Sequence, residues 1–188
     1  MKTSPGFVTR RRRVVLDRAP FLRVEDHEVL LPDGRTIPDW SWVDTPDFVS
    51  ILAVTRDGLF PFFRQRKYAV RGPTLAPPGG YIEPGEKPGA AARRELREET
   101  GFSAPTWIAL DRVVVDSNRG AGRAHLYLAL EARCITTPDA DDLESQELLL
   151  LNRREIEAAL DAGRFRCLPW TALVALGLRR LDRLGRGT

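Results

Sequence analysis

Between residues 14 and 43 the chain alternates short apolar runs with turn signals. Runs 14–16, 21–24, 28–31 and 40–43 are rich in Val, Leu, Phe and Trp, and Pro32, Asp33 and Gly34 supply a turn before the last. Each run predicts a strand. Strands this short bury no core alone, so they are expected to pack on something else. The apolar run 48–54 predicts a buried strand, Arg56, Asp57 and Gly58 predict a hairpin turn, and 59–64 returns as a strand. Farther along, runs 106–110 and 112–115 predict strand, as does 125–132, which is apolar on both faces. A strand at 148–151 is followed by helices predicted at 154–162 and 171–184, the second amphipathic through Leu173, Val174, Leu176 and Leu178.

The middle of the chain is patterned differently. Pro77, Pro78, Gly79 and Gly80, then Glu83, Pro84, Gly85 and Glu86, predict a turn-rich loop that runs into a helix from near Pro88 to Gly101. Proline is tolerated in a first helical turn, the Ala, Arg and Glu run favours helix, and glycine commonly follows a helix C-terminus. On that helix Glu95, Glu98 and Glu99 stand at i, i+3 and i+4, so their carboxylates share a face. Three clustered anions repel one another, which predicts a cation among them. Hard oxygen donors on a rigid element suit Mg²⁺ or Mn²⁺.

Composition changes little in this picture. A chain of 188 residues, 43% hydrophobic and 29% charged, is the size of one globular domain with or without an appendage. The net charge of +3 is weak evidence for nucleic acid, so a nucleic-acid partner is not expected. Arg10, Arg11, Arg12 and Arg13 form a run expected to be a solvated lead-in to a strand, with contact to phosphate or a membrane surface as the alternative. No apolar stretch follows Met1 as a signal-peptide core and no run approaches membrane-spanning length, so a cytoplasmic protein with no membrane partner is expected. Cys134 and Cys167 lack metal-ligand spacing and are expected to be reduced thiols.

Gly80, five residues, Glu86, seven residues, Arg94-Glu95-Leu96, one residue, Glu98-Glu99, one residue and Gly101-Phe102 resemble the Nudix box with its defining positions filled. The resemblance implies an α/β fold, a Nudix α/β/α sandwich with a mixed sheet. It implies that Glu95 and Glu99, the main-chain carbonyl of Gly79 and, assisting, Glu98 hold Mg²⁺ or Mn²⁺. Arg94 and Glu86 are then structural support for the carboxylates. The implied reaction is hydrolysis of a nucleoside diphosphate linked to another group.

Leu31, Pro32, Asp33, Gly34 and Arg35, an aromatic strand, and then residues 47–54 look like the opening of the ADP-ribose and nucleotide-sugar pyrophosphatase branch. That implies residues 1–44 as a small N-terminal antiparallel strand lobe exchanged across a homodimer, and 45–188 as the Nudix hydrolase domain. It implies a small-molecule substrate, ADP-ribose or a nucleotide sugar, cut to a nucleoside monophosphate and a sugar phosphate. Lys67, beside Gln65, holds the position of an arginine that contacts substrate in the branch, and Ala76 stands where an acid is usual. The proline that marks ADP-ribose enzymes downstream of the box is absent. The acidic loop 139–147 resembles the segment that supplies the general base, with Glu144 and Asp142 nearest that position and Glu147 next.

Other candidates come from the residues themselves. Trp40 and Trp42 flank Ser41 and are expected on one side of a strand, as core, as dimer contact, or, for Trp42 first, stacked on a base. Arg119 and Arg123 sit in a Gly-rich loop, either clamping a phosphate or solvated. His125 begins an apolar strand and is expected to be structural. Two other readings stay open. The chain is a pyrophosphatase for a dinucleoside polyphosphate, coenzyme A or an RNA cap, or it is a non-catalytic ligand- or RNA-binding module. The intact carboxylates speak against the module.

Overall fold

The computed structural model describes residues 6–138 and 146–185. They form two compact units, one of the residues up to Asp47 with Val114–Arg123, the other of Phe48–Val113 with Ala124 onward. None of the described helices is long and apolar enough to cross a membrane.

In the first unit, β1 (Val8–Arg18), β2 (Leu22–Leu30) and β3 (Thr36–Asp44) make an antiparallel sheet in that order. Runs 21–24 and 28–31, expected as two strands, are one strand. The charged residues between them do not break it because they are paired, Asp26 with Arg13 of β1 and Glu25 with His27. The arginine run lies inside the edge strand β1, where Arg11 stands opposite Glu28 and Arg13 opposite Asp26. Opposite charges across a strand pair favour pairing, and arginines along an edge discourage a further strand from adding. The period of two puts Glu25, His27 and Val29 on one buried face of β2.

The second unit is built around β4 (Phe48–Thr55), which runs parallel to β9 (Arg123–Cys134). β7 (Phe102–Ser103) and β8 (Thr106–Val114) also pair with β9, β7 antiparallel, so the sheet is mixed as expected. β5 (Phe60–Arg66) lies between β10 (Glu147–Leu151) and β6 (Pro73–Ala76) in a second, antiparallel sheet. The turn at Arg56 to Gly58 forms, closed by Gly58 N–H to Thr55 O (3.1 Å) and Thr55 N–H to Leu59 O (2.8 Å). It is not the turn of a ladder, however, because β4 and β5 belong to different sheets. The reason lies in β4, whose two faces are both apolar and both covered. Val49, Ile51 and Ala53 pack with Ala91, Ala92 and Leu96 of helix α1 (Pro88–Thr100). Leu52 and Val54 pack with Phe60, Phe62, Ile156 of α2 (Arg153–Asp161) and Leu173, Val174 and Leu178 of α3 (Leu168–Arg183). At roughly 1.5–3 kcal/mol per buried aliphatic side chain, these clusters are the main stabilising term. Helix α2 starts at a capping box the sequence reading passed over, Asn152 accepting from Glu155 N–H and Glu155 from Asn152 N–H.

Candidate functional site

Helix α1 presents two stripes. Ala91, Ala92, Leu96 and Thr100 are buried on one, and Gly101 ends the helix in the left-handed conformation, φ 73°. Beside that stripe stand Glu95, Glu98 and Glu99, and among them Arg94. The Arg94 guanidinium donates to both oxygens of Glu86 (3.0 and 2.9 Å), to Glu95 (2.8 Å), to Glu98 (3.2 Å) and to the carbonyl of Tyr81 (3.1 Å). A lysine ammonium has no planar fork with which to hold that set.

The loop before the box is fixed to β4 by Ile51 N–H to Pro78 O and Val49 N–H to Gly80 O, both 2.9 Å. Gly79 sits at φ +154°, and a Cβ there would lie 2.2 Å from Val49 O, so only glycine fits. Its N–H donates to Glu99 Oε2 at 2.7 Å. A Cβ on Gly80 would lie 2.4 Å from Glu95 Oε1, so the bare backbone is what lets that carboxylate close onto the loop. Gly79, Gly80, Glu86, Arg94, Glu95, Glu98 and Glu99 are thereby brought into one connected cluster.

The electrostatics of the cluster are unequal. Hydrogen bonds from Arg94 hold the Glu86 carboxyl below its usual range. Those bonds in turn push the guanidinium above its ordinary value. Burial pushes Glu95 up, Arg94 pulls it partly back, and the charges of Glu98 and Glu86 add to the rise. Glu95 is thus a buried carboxylate that one guanidinium does not fully neutralise. Among the described residues no three acidic, histidine or cysteine side chains already stand as a metal-holding set. The donors nevertheless fit a hard divalent cation, being oxygens only, with Glu95 in need of further positive charge.

The remaining candidates fall elsewhere. Gln65 is buried in β5 opposite Thr74, and Lys67 follows the end of that strand. Asp142 and Glu144 lie outside the described residues. In the first unit, Arg119 is paired with Asp116 at 3.0 Å, and the exposed Arg123 donates its backbone N–H to Asp47 Oδ1 at 2.9 Å. Trp40 and Trp42 line one cavity of about 240 Å³, together with Phe7, His27, Ser117 and Asn118. The Trp40 indole N–H donates to Asn118 O at 2.8 Å. Sequence reading missed Phe7, Glu25, His27 and Asn118. The available signal for two of these was the alternation of Glu25, His27 and Val29, in step with the two tryptophans.

Comparison with known proteins adds a family to this geometry. The NUDIX domain model matches residues 48–171. An ADP-ribose pyrophosphatase of Bacillus subtilis (strain 168) is 30% identical over 139 residues, 74% of this chain and 72% of that protein. An ADP-sugar pyrophosphatase of Mus musculus is 25% identical over 177 residues, 86% of this chain and 81% of that one. A solved structure described as an ADP compounds hydrolase superposes with a TM-score of 0.81 at 18% identity, covering 99% of this chain and 100% of its own, which shows the shared fold. With its box residues gathered on α1 and the preceding glycine loop, and with the family model spanning residues 48–171, this chain belongs to the NUDIX domain family.

Proposed function

We propose that this protein is a divalent-metal-dependent pyrophosphatase acting on ADP-ribose or a related nucleotide sugar. The observation that carries the reading is the carboxylate cluster of Glu86, Glu95, Glu98 and Glu99, ordered by Arg94 against Gly79 and Gly80. The names of the curated relatives supply the substrate class.

In this reading Glu95, Glu99 and the Gly79 carbonyl hold Mg²⁺ or Mn²⁺, and Glu98 assists. When bound, the ion supplies charge neutralisation at the diphosphate and a more acidic water. The chain's own part is orientation. Arg94 holds three carboxylates in fixed planes, so little reorganisation remains at the moment of reaction. Glu144 or Asp142 takes the proton of the attacking water. The water oxygen bonds to one phosphorus, the P–O–P bond breaks, and the bridging oxygen leaves on the other phosphate. Lys67, Gln65, Arg119 and Arg123 contact the polar parts of the substrate, and Trp42 the base.

The reading includes a homodimer formed through residues 1–44, supported by apolar side chains left exposed there, among them Val8, Val14, Val15 and Phe21. It also includes a cytoplasmic location, supported by two free cysteines.

The test is phosphate release, after a coupled phosphatase, from ADP-ribose, nucleotide sugars, dinucleoside polyphosphates and coenzyme A, with Mg²⁺ and with Mn²⁺. Metal-dependent turnover of ADP-ribose or a nucleotide sugar is expected, falling about 10²- to 10³-fold in Glu99→Gln. Weaker Mn²⁺ binding by the same variant in calorimetry is the companion readout. No turnover of these substrates, or turnover indifferent to Glu99, overturns the proposal.

A further inference from the structure

The first unit buries two polar side chains where apolar ones would cost less. Glu25 is 9% exposed and His27 3% exposed, on the covered face of β2. Burying such groups is unfavourable unless they are hydrogen-bonded, and they bond each other, His27 Nε2 to Glu25 Oε2 at 2.8 Å. The carboxylate accepts, which places a proton on Nε2 and fixes the plane of the imidazole. Arg23 also lies near Glu25, its guanidinium 3.9 Å from Oε1, and Arg12 of β1 stands opposite His27 in the strand register.

That fixed imidazole lies against Trp42. The two rings stack with centroids 5.2 Å apart and planes 18° apart. Gly120 approaches the same indole so closely that a Cβ would come within 2.3 Å of Trp42 Cζ2. In the strand register Glu25 stands opposite Trp42 and His27 opposite Trp40, so the polar pair is placed beside both tryptophans along the ladder. An apolar side chain at position 27 would fill the space, yet it would lack the hydrogen bond to Glu25 that sets the plane of the ring beside Trp42.

We propose that the Glu25–His27 pair is a positioning device for the aromatic cavity, holding the plane of Trp42 so that the cavity accepts a nucleobase by stacking. The proposal rests on the reading above in one respect, that the substrate carries a nucleobase. Base stacking on an aromatic side chain depends on parallel planes, so a loosened Trp42 loses affinity.

The probe is AMP, titrated by tryptophan fluorescence into the full chain and into His27→Leu, His27→Phe, Glu25→Leu and Glu25→Gln, with Trp42→Phe identifying the Trp42 signal. His27→Leu and Glu25→Leu are expected to weaken AMP about three- to tenfold and to lower the emission anisotropy of Trp42. Glu25→Gln, which still accepts from Nε2, is expected to stay within about twofold of wild type, with His27→Phe between. A role confined to folding would change the melting temperature of folded variants and leave the AMP affinity and the Trp42 signal alone, and that result overturns the proposal. A wild type that does not bind AMP overturns it as well. A protein that binds AMP with this pattern but hydrolyses nothing in the phosphate-release panel upholds the positioning role and removes the hydrolase reading instead.

Discussion

The carboxylate cluster on α1 and the aromatic cavity in the first unit solve the same problem by different routes. Each sets a side chain with a proposed role against a glycine that leaves room for it, Glu95 against Gly80 and Trp42 against Gly120. Each is steadied by a charged or polar partner, Arg94 in one case and His27 in the other. Three of the four carboxylates, however, are spaced by one helix, whereas the cavity is assembled from β1, β2, β3 and the Val114–Arg123 segment. Spacing set within one helix survives small shifts of its surroundings better than spacing set between four segments.

The largest effect expected from a single methyl group is at Gly79. Its Cβ would collide with the Val49 carbonyl, which belongs to β4 and cannot move aside, so Gly79→Ala is expected to lower stability by about 3 kcal/mol or more in urea denaturation. A loss under about 1 kcal/mol would show that the loop carrying the cluster is softer than the comparison requires. A smaller effect is expected from the matched pair Gly80→Ala and Gly120→Ala. At Gly80 the new methyl meets the end of a flexible glutamate, so Mn²⁺ affinity is expected to fall about tenfold while the melting temperature moves within about 2 °C. At Gly120 it meets a rigid indole, so stability is expected to fall by about 1–3 kcal/mol with a change in Trp42 emission. If Gly80→Ala proved the more destabilising of the two, the contrast between helix-borne and assembled sites would be reversed.

The smallest effect is a pH dependence. Glu86 has its carboxyl lowered in the folded state, chiefly by the hydrogen bonds from Arg94. Stabilisation from this group is therefore fully present above the ordinary carboxylate range and is lost as pH falls through the folded value. Wild type is expected to exceed Glu86→Gln in stability at neutral pH, with the gap closing in acid. Glu95 carries the opposite sign, because burial raises its carboxyl. Without metal, Glu95→Gln is expected to be the more stable protein at neutral pH, and excess Mn²⁺ is expected to reverse that order by stabilising wild type alone.

Legibility in the sequence followed distance along the chain. Helix α1, expected from near Pro88 to Gly101, is Pro88–Thr100, because propensity, an N-terminal proline and a C-terminal glycine agreed locally. The strand after Gly58 was expected and exists as β5, but its partners were misjudged, because a turn signal does not say which strand will lie alongside. Runs 21–24 and 28–31 merged into β2 because Asp26 is paired across the strands with Arg13 of β1 and Glu25 within β2 with His27. Arg119 was read as either a phosphate clamp or a solvated loop residue, and the structure adds an i, i+3 pair with Asp116 whose spacing the sequence displays openly.

Periodicity alone was enough to place Glu95, Glu98 and Glu99 on one helical face, since neighbours three and four apart on a helix must meet, and turn residues marked the glycine loop before them. The α/β character of the chain was legible by another route, the resemblance of the spaced box residues to the Nudix family, since the patterning of single runs gives elements and not their layers. Packing decided the rest: that β4 runs parallel to β9 across some seventy intervening residues, that Arg94 turns to three carboxylates at once, and that His27 meets Trp42. Those contacts join residues whose local preferences are silent about one another, and only closure of the chain, with its buried area and satisfied polar groups, selects among the possible partners.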